Sequence, residues 1–183
     1  MHILVDMDGV IANWGKQWDH VADTYWPESR VHRHQQQTSF DLKAGLDAYD
    51  CDVVDLIMNH PNFYRDLEPI DGAIEALHTM TEAGHGVTIC TSPWLTNKTC
   101  VTDKLEWLDR HIGDGWSSKA VITADKTQVA GDILIDDKPT IKGAFIPTWE
   151  HVVFDQPYNR EVVDRQRIVG WSNWSEQIFG VHA

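Results

Sequence analysis

Short apolar runs rich in β-branched residues, each closed by a polar turn, set the rhythm of the chain. Ile3-Leu4-Val5 runs into Asp6, Val87-Thr88-Ile89-Cys90 into Thr91, and Ala120-Val121-Ile122 into Thr123. Ile133-Leu134-Ile135 runs into Asp136, and Val152-Val153-Phe154 into Asp155. Runs this short, without strict alternation, fit strands covered on both faces, as in a parallel sheet. Helical patterns fall between them. Ile74, Leu77 and Met80 step by three after Asp71, with Gly84 as a stop. Val101, Leu105, Leu108 and Ile112 predict an amphipathic stripe ended by Gly113. Near the C-terminus, Ser172 is the expected cap of a short helix carrying Trp174 and Ile178. Strands alternating with helices predict an α/β fold: a Rossmann-like parallel sheet with right-handed crossovers.

Residues 15–65 break this alternation, holding aromatics and charges but no convincing β-run. Leu46, Tyr49, Val53, Leu56 and Ile57 read as helix. An insertion of about 50 residues is too long for an ordinary loop, so a small helical cap over the edge of the sheet is expected. The division predicted is an α/β core over 1–14 and 66–183, with the cap at 15–65.

Charge narrows the partners. A formal net charge of -13 on 183 residues repels polymeric nucleic acid and anionic membranes. A small phosphorylated ligand stays compatible if positive charge is gathered locally. No apolar run approaches the roughly 18–20 residues that span a bilayer. The start, MHILVDMDGV, lacks the basic and apolar stretches of a secretory signal, so a cytoplasmic location is expected. Cys51, Cys90 and Cys100 form neither an even set nor a CxxC pair, which favours buried thiols over disulfides or zinc. His32 and His34, the closest histidine pair, lie in a Gln-rich stretch without a cysteine and make a poor metal site.

In a parallel sheet, ligands bind beyond the carboxyl ends of the strands. There this chain places Asp6-Met7-Asp8-Gly9-Val10, then Thr91-Ser92-Pro93, then the lysine of Ala124-Asp125-Lys126-Thr127, then Asp136-Asp137-Lys138-Pro139. Carboxylate oxygens suit a hard cation such as Mg²⁺; hydroxyls and a lysine suit a phosphate. Asp6 at a strand end is placed to attack a phosphorus atom, and Asp8 to supply and then accept a proton. Each piece alone has a plainer reading: Asp and Gly are ordinary turn residues, and Thr-Ser-Pro is also a helix cap. Their joint occurrence, each at a strand end, points to a magnesium-bound phosphate ester.

These residues resemble a known family. DMDGV, the threonine of ICTSP, the lysine of ADKT and the aspartates of ILIDDKP resemble the four motifs of the haloacid dehalogenase superfamily of phosphatases. NFYRDLEPIDGAIEAL, TICTSPW, VITADKTQVAGDILIDDKP and PTWEHVVF are similar to stretches of the 5′(3′)-deoxyribonucleotidases of the pyrimidine type. The resemblance implies Asp6 as the phosphorylated nucleophile and Asp8 as the acid–base that also offers its backbone carbonyl to Mg²⁺. It implies Thr91, Ser92 and Lys126 as phosphate ligands, Asp6, Asp8 and Asp137 as the metal set, and Asp136 as its supporting neighbour. It also implies an aromatic base pocket, for which Trp14, Phe40 and Tyr64 are the candidates. One departure stands out. Members of that family carry a basic residue shortly after the TSP motif, where this chain has Trp94-Leu95 and, further on, Lys98.

The function expected is Mg²⁺-dependent hydrolysis of (deoxy)ribonucleoside 5′-monophosphates, foremost a deoxyribonucleoside 5′-monophosphate, through an aspartyl-phosphate, the substrate being a small molecule rather than a polymer. The alternatives are a phosphatase of the same superfamily acting on another metabolite, such as a sugar phosphate, and a non-catalytic nucleotide-binding module. Relatives are often homodimers, although no surface stripe here demands one.

Overall fold

The computed structural model describes residues 1–180, so the last three residues of the expected core lie outside the described residues. Six strands form one parallel sheet: β1 (His2–Val5), β2 (Gly86–Thr91), β3 (Ala120–Ile122), β4 (Ile133–Asp136), β5 (Glu150–Phe154) and β6 (Arg167–Ile168). Their spatial order is β3-β2-β1-β4-β5-β6. That order reverses direction beside β1, and such switch points open a crevice at the strands' carboxyl ends. Val5 pairs with Ile89 on one side and Ile135 on the other, which sets Asp6 beside the final residues of β2 and β4.

Both faces of the sheet are covered, as the unalternating strands predict. Ile3, Val5, Ile89, Ile135, Val152 and Phe154 join the main core, whereas Leu4, Cys90 and Leu134 pack with Trp149 in a smaller cluster. Among the described residues, five α-helices accompany the sheet: α1 (Trp14–Tyr25), α2 (Ala48–Met58), α3 (Ala73–Glu82), α4 (Cys100–His111) and α5 (Trp174–Phe179). Both α1 and α2 lie within the long connection from β1 to β2. Asn13 caps α1 by accepting from the Lys16 amide at 3.0 Å, and Asp47 caps α2 by accepting from Asp50 at 3.0 Å. None of the described helices is long and apolar enough to cross a membrane.

Four details depart from expectation. The connections 123–132 and 137–149 carry no α-helix, so the smaller cluster is covered by loop side chains, those of Trp149, Val129 and Ile141. The apolar stripe on α4 is misphased: Val101 is exposed, while Cys100, Lys104, Trp107 and Leu108 are buried. On α2, Val53 and Ile57 face inward, but Tyr49 and Leu56 are exposed and Leu46 precedes the helix. The residue capping α5 is Asn173 in a left-handed conformation, not Ser172, and its side chain makes no capping bond.

Candidate active site

The loop after β1 explains why two aspartates stand two apart. Extended backbone sends alternate side chains to opposite sides. Met7 is therefore buried in the core, while Asp6 and Asp8 line a cavity of about 450 Å³. The loop then turns sharply, with the Val10, Ile11 and Ala12 amides all donating to the Met7 carbonyl at 2.9–3.2 Å. Gly9 sits at φ +73°, and a Cβ there would lie 2.6 Å from Asp137 Oδ2. Only glycine allows the first and fourth strand ends to approach this closely.

Asp136 closes β4 and Asp137 follows it. Asp6, Asp136 and Asp137 are all buried, and each offers an oxygen within 4.8 Å of the others'. Lys126, from the short turn after β3, reaches into the group. Its Nζ lies 2.5 Å from Asp136 Oδ2 and 2.8 Å from Asp6 Oδ1. Burial pulls the Lys126 ammonium down, but the charges of Asp136 and Asp6 outweigh it and push it above the ordinary lysine value. Asp137 moves the other way. Burial, with the charges of Asp136 and Asp6, lifts its carboxyl well above the usual range. Burial also raises Asp8, against the pull of Lys104.

Three buried carboxylates facing one ammonium leave an excess of negative charge. Asp6 Oδ1 and Asp8 Oδ1 are buried without a hydrogen-bond partner, so Asp6 meets Lys126 as an ion pair outside hydrogen-bond geometry. An all-oxygen donor set with unsatisfied, crowded carboxylates fits a hard divalent cation. Asp6, Asp136 and Asp137 make up the cluster, and the Asp8 side chain pairs with Lys104 while its backbone carbonyl stays the part expected to face a cation.

The remaining predicted residues meet around the same cavity. Thr91, Ser92, Trp14, Phe40 and Tyr64 all line it. Trp14 and Tyr64 are buried and Phe40 is 44% exposed at the rim. Lys98 is exposed and lies outside this lining.

Comparison with known proteins bears on this constellation. The family described as "5′ nucleotidase, deoxy (Pyrimidine), cytosolic type C protein" matches residues 1–183. The human cytosolic-type 5′(3′)-deoxyribonucleotidase is 37% identical, covering 96% of this chain and 92% of its own. The human mitochondrial 5′(3′)-deoxyribonucleotidase is 32% identical over 94% of this chain and 79% of its own. The chain belongs to the 5′ nucleotidase family. Membership makes it a phosphoric monoester hydrolase. A hydrolase from Pseudomonas syringae shares the fold at a TM-score of 0.54 and 11% identity, covering 100% of this chain and 99% of that one.

Around this candidate site stand residues that sequence reasoning missed. Lys104 is fully buried and pairs with Asp8. Its signal was present: a lysine one helical turn after Cys100 and one before Leu108 sits on the apolar face. The Tyr158 hydroxyl donates to Asp137 Oδ2, and Asn159 Nδ2 donates to the Asp137 carbonyl at 2.7 Å. Gln156 Nε2 donates to the Gly9 carbonyl at 2.5 Å and its Oε1 meets His34 Nε2 at 2.9 Å. Nothing local in the sequence marks these three, because their partners lie far away along the chain.

Proposed function

We propose that the protein hydrolyses deoxyribonucleoside monophosphates, with Mg²⁺ held by Asp6, Asp137 and the Asp8 carbonyl and with Asp136 in support. The observation that carries this reading is the convergence of the Asp6, Asp136 and Asp137 carboxylates with Lys126 and Thr91 at one cavity. The activity of the human relatives, deoxyribonucleotidases by name, supports the substrate class.

The chemistry follows from the residues. An Asp6 oxygen attacks phosphorus and the ester P–O bond breaks, leaving an aspartyl-phosphate. Asp8, its carboxyl raised by burial and so protonated more readily, gives its proton to the departing nucleoside oxygen. A water molecule then attacks phosphorus and loses a proton to Asp8. The acyl-phosphate bond breaks, returning the Asp6 carboxylate and inorganic phosphate. Lys126 and the hydroxyls of Thr91 and Ser92 hold the phosphoryl oxygens through both steps. When bound, the cation screens the Asp6 carboxylate from the phosphate dianion it approaches. Trp14, Phe40 and Tyr64 give the base an apolar wall. Residues 15–65 act as a cap that limits water at the reacting centre.

Phosphate release tests this directly. Deoxy and ribo monophosphates of each base and a set of sugar phosphates are assayed in Mg²⁺ and again after chelation. The reading predicts turnover of deoxynucleotides that chelation abolishes. Equal rates on sugar phosphates would defeat the nucleotidase assignment, and Mg²⁺-independent turnover would defeat the cation site.

A further inference from the structure

Lys104 lies on the inner side of α4 with no exposed surface. Three oxygens surround its ammonium: Asp8 Oδ2 at 2.8 Å, Thr91 Oγ1 at 2.9 Å and the Ser92 carbonyl at 2.8 Å. The Tyr64 ring, its centroid 5.3 Å from Nζ, is the further neighbour. An ammonium has three N–H groups and no lone pair to accept with. Thr91 and Ser92 accept two of them and Asp8 balances the charge as an ion pair, so the ammonium is held by the protein itself. In this Lys104 differs from Lys126, whose partners belong to the carboxylate cluster itself.

The consequence appears at Thr91. A hydroxyl carries one proton and two acceptor lone pairs, and its proton rotates to suit its neighbours. With Oγ1 accepting from the cationic Nζ, the hydroxyl proton turns away from Lys104. Among the described residues this hydroxyl donates to no protein acceptor, although Thr91 is buried and lines the cavity. A buried donor without a protein partner is costly unless a ligand or water receives it.

We propose that Lys104 is a positioning residue that fixes the Thr91 hydroxyl as a donor into the cavity, holding Asp8 and the Ser92 backbone beside it. The phosphate cradle is thereby assembled before substrate arrives, and the binding step spends no free energy ordering it. This inference rests on reading the cavity as a phosphate site.

A double-mutant cycle on the Mg²⁺-loaded protein tests it, with inorganic phosphate as the probe and titration calorimetry as the readout. Thr91→Val removes the donor, Lys104→Met removes the ammonium at similar volume, and near-UV circular dichroism checks the fold. Each single change is expected to weaken phosphate about 10-fold or more, the scale of a hydrogen bond to a charged group. The double variant should be no weaker than the worse single one. Multiplying losses would show that Lys104 does not act through Thr91 and would overturn the proposal. If Thr91→Val alone leaves phosphate affinity unchanged, the phosphate reading of the cavity falls and the proposal with it. If Lys104→Met fails to fold, Lys104→Gln replaces it in the same cycle. Its amide still donates, so Thr91→Val must keep its effect in that background, and loss of that effect would refute the proposal.

Discussion

Lys126→Met is the perturbation that most sharply separates electrostatics from packing. The Lys126 side chain is 6% exposed, and those of Asp136 and Asp6 are 1% and 11% exposed. Methionine fills nearly the same volume but removes the cation from a group of three buried carboxylates. Breaking a buried ion pair by deleting one partner costs about 3–5 kcal/mol, because the other charge is left uncompensated. At this chain length each kcal/mol moves the melting temperature by about 2–4 °C, so the metal-free variant should melt about 6–20 °C below the parent. Differential scanning calorimetry in chelator measures this. Adding Asp136→Asn to the variant should recover much of the loss, since the charge nearest Lys126 is then gone. A variant melting within about 2 °C of the parent would refute the claim that Lys126 holds this cluster together against its own repulsion.

Other consequences can be measured separately. Burial pulls His151 down to about 4. Arg165 donates to its Nδ1 at 3.1 Å, which leaves Nε2–H facing the Asp136 carbonyl at 3.3 Å. The folded protein thus binds fewer protons than the unfolded chain between pH 4 and the ordinary histidine value, and stability falls as pH drops through that window. The loss is about 2 kcal/mol after discounting for partial exposure, and urea titrations at pH 7 and pH 4.5 should show it shrinking in His151→Asn. Phe40→Ala should raise the nucleotide KM about 5-fold or more while leaving inhibition by inorganic phosphate unchanged, if the ring serves the base as proposed and not the phosphate. Steady-state kinetics on both ligands checks this. Tyr158→Phe frees the Asp137 carboxylate from its donor and should weaken Mg²⁺ about 10-fold by calorimetric titration.

What the sequence discloses follows from how far each signal reaches. Strand runs such as Ile3-Leu4-Val5 are legible because double-sided burial selects β-branched residues locally, and the parallel sheet then brings Asp6 and Asp137 to one edge. Strand β6, only Arg167–Ile168, is too short to carry any pattern. The face of α4 is misread because Lys104 occupies a core position that a hydrophobicity count skips, its charge being satisfied by Asp8, Thr91 and Ser92. Tyr158 touches Asp137 through the turn after β5, and that contact depends on how β4 and β5 lie side by side rather than on spacing. Gly9 is legible as a turn glycine. Its closeness to the Asp137 carboxylate is a fact of the assembled fold.

The central claim is that Asp6 takes the phosphoryl group, and rapid-quench labelling tests it most directly. Enzyme mixed with Mg²⁺ and a deoxynucleoside monophosphate bearing labelled phosphate is stopped in acid within one turnover and digested. The account predicts hydroxylamine-labile label on the peptide holding Asp6 and none in Asp6→Asn. Label on another residue, or full-rate hydrolysis by Asp6→Asn, would contradict it.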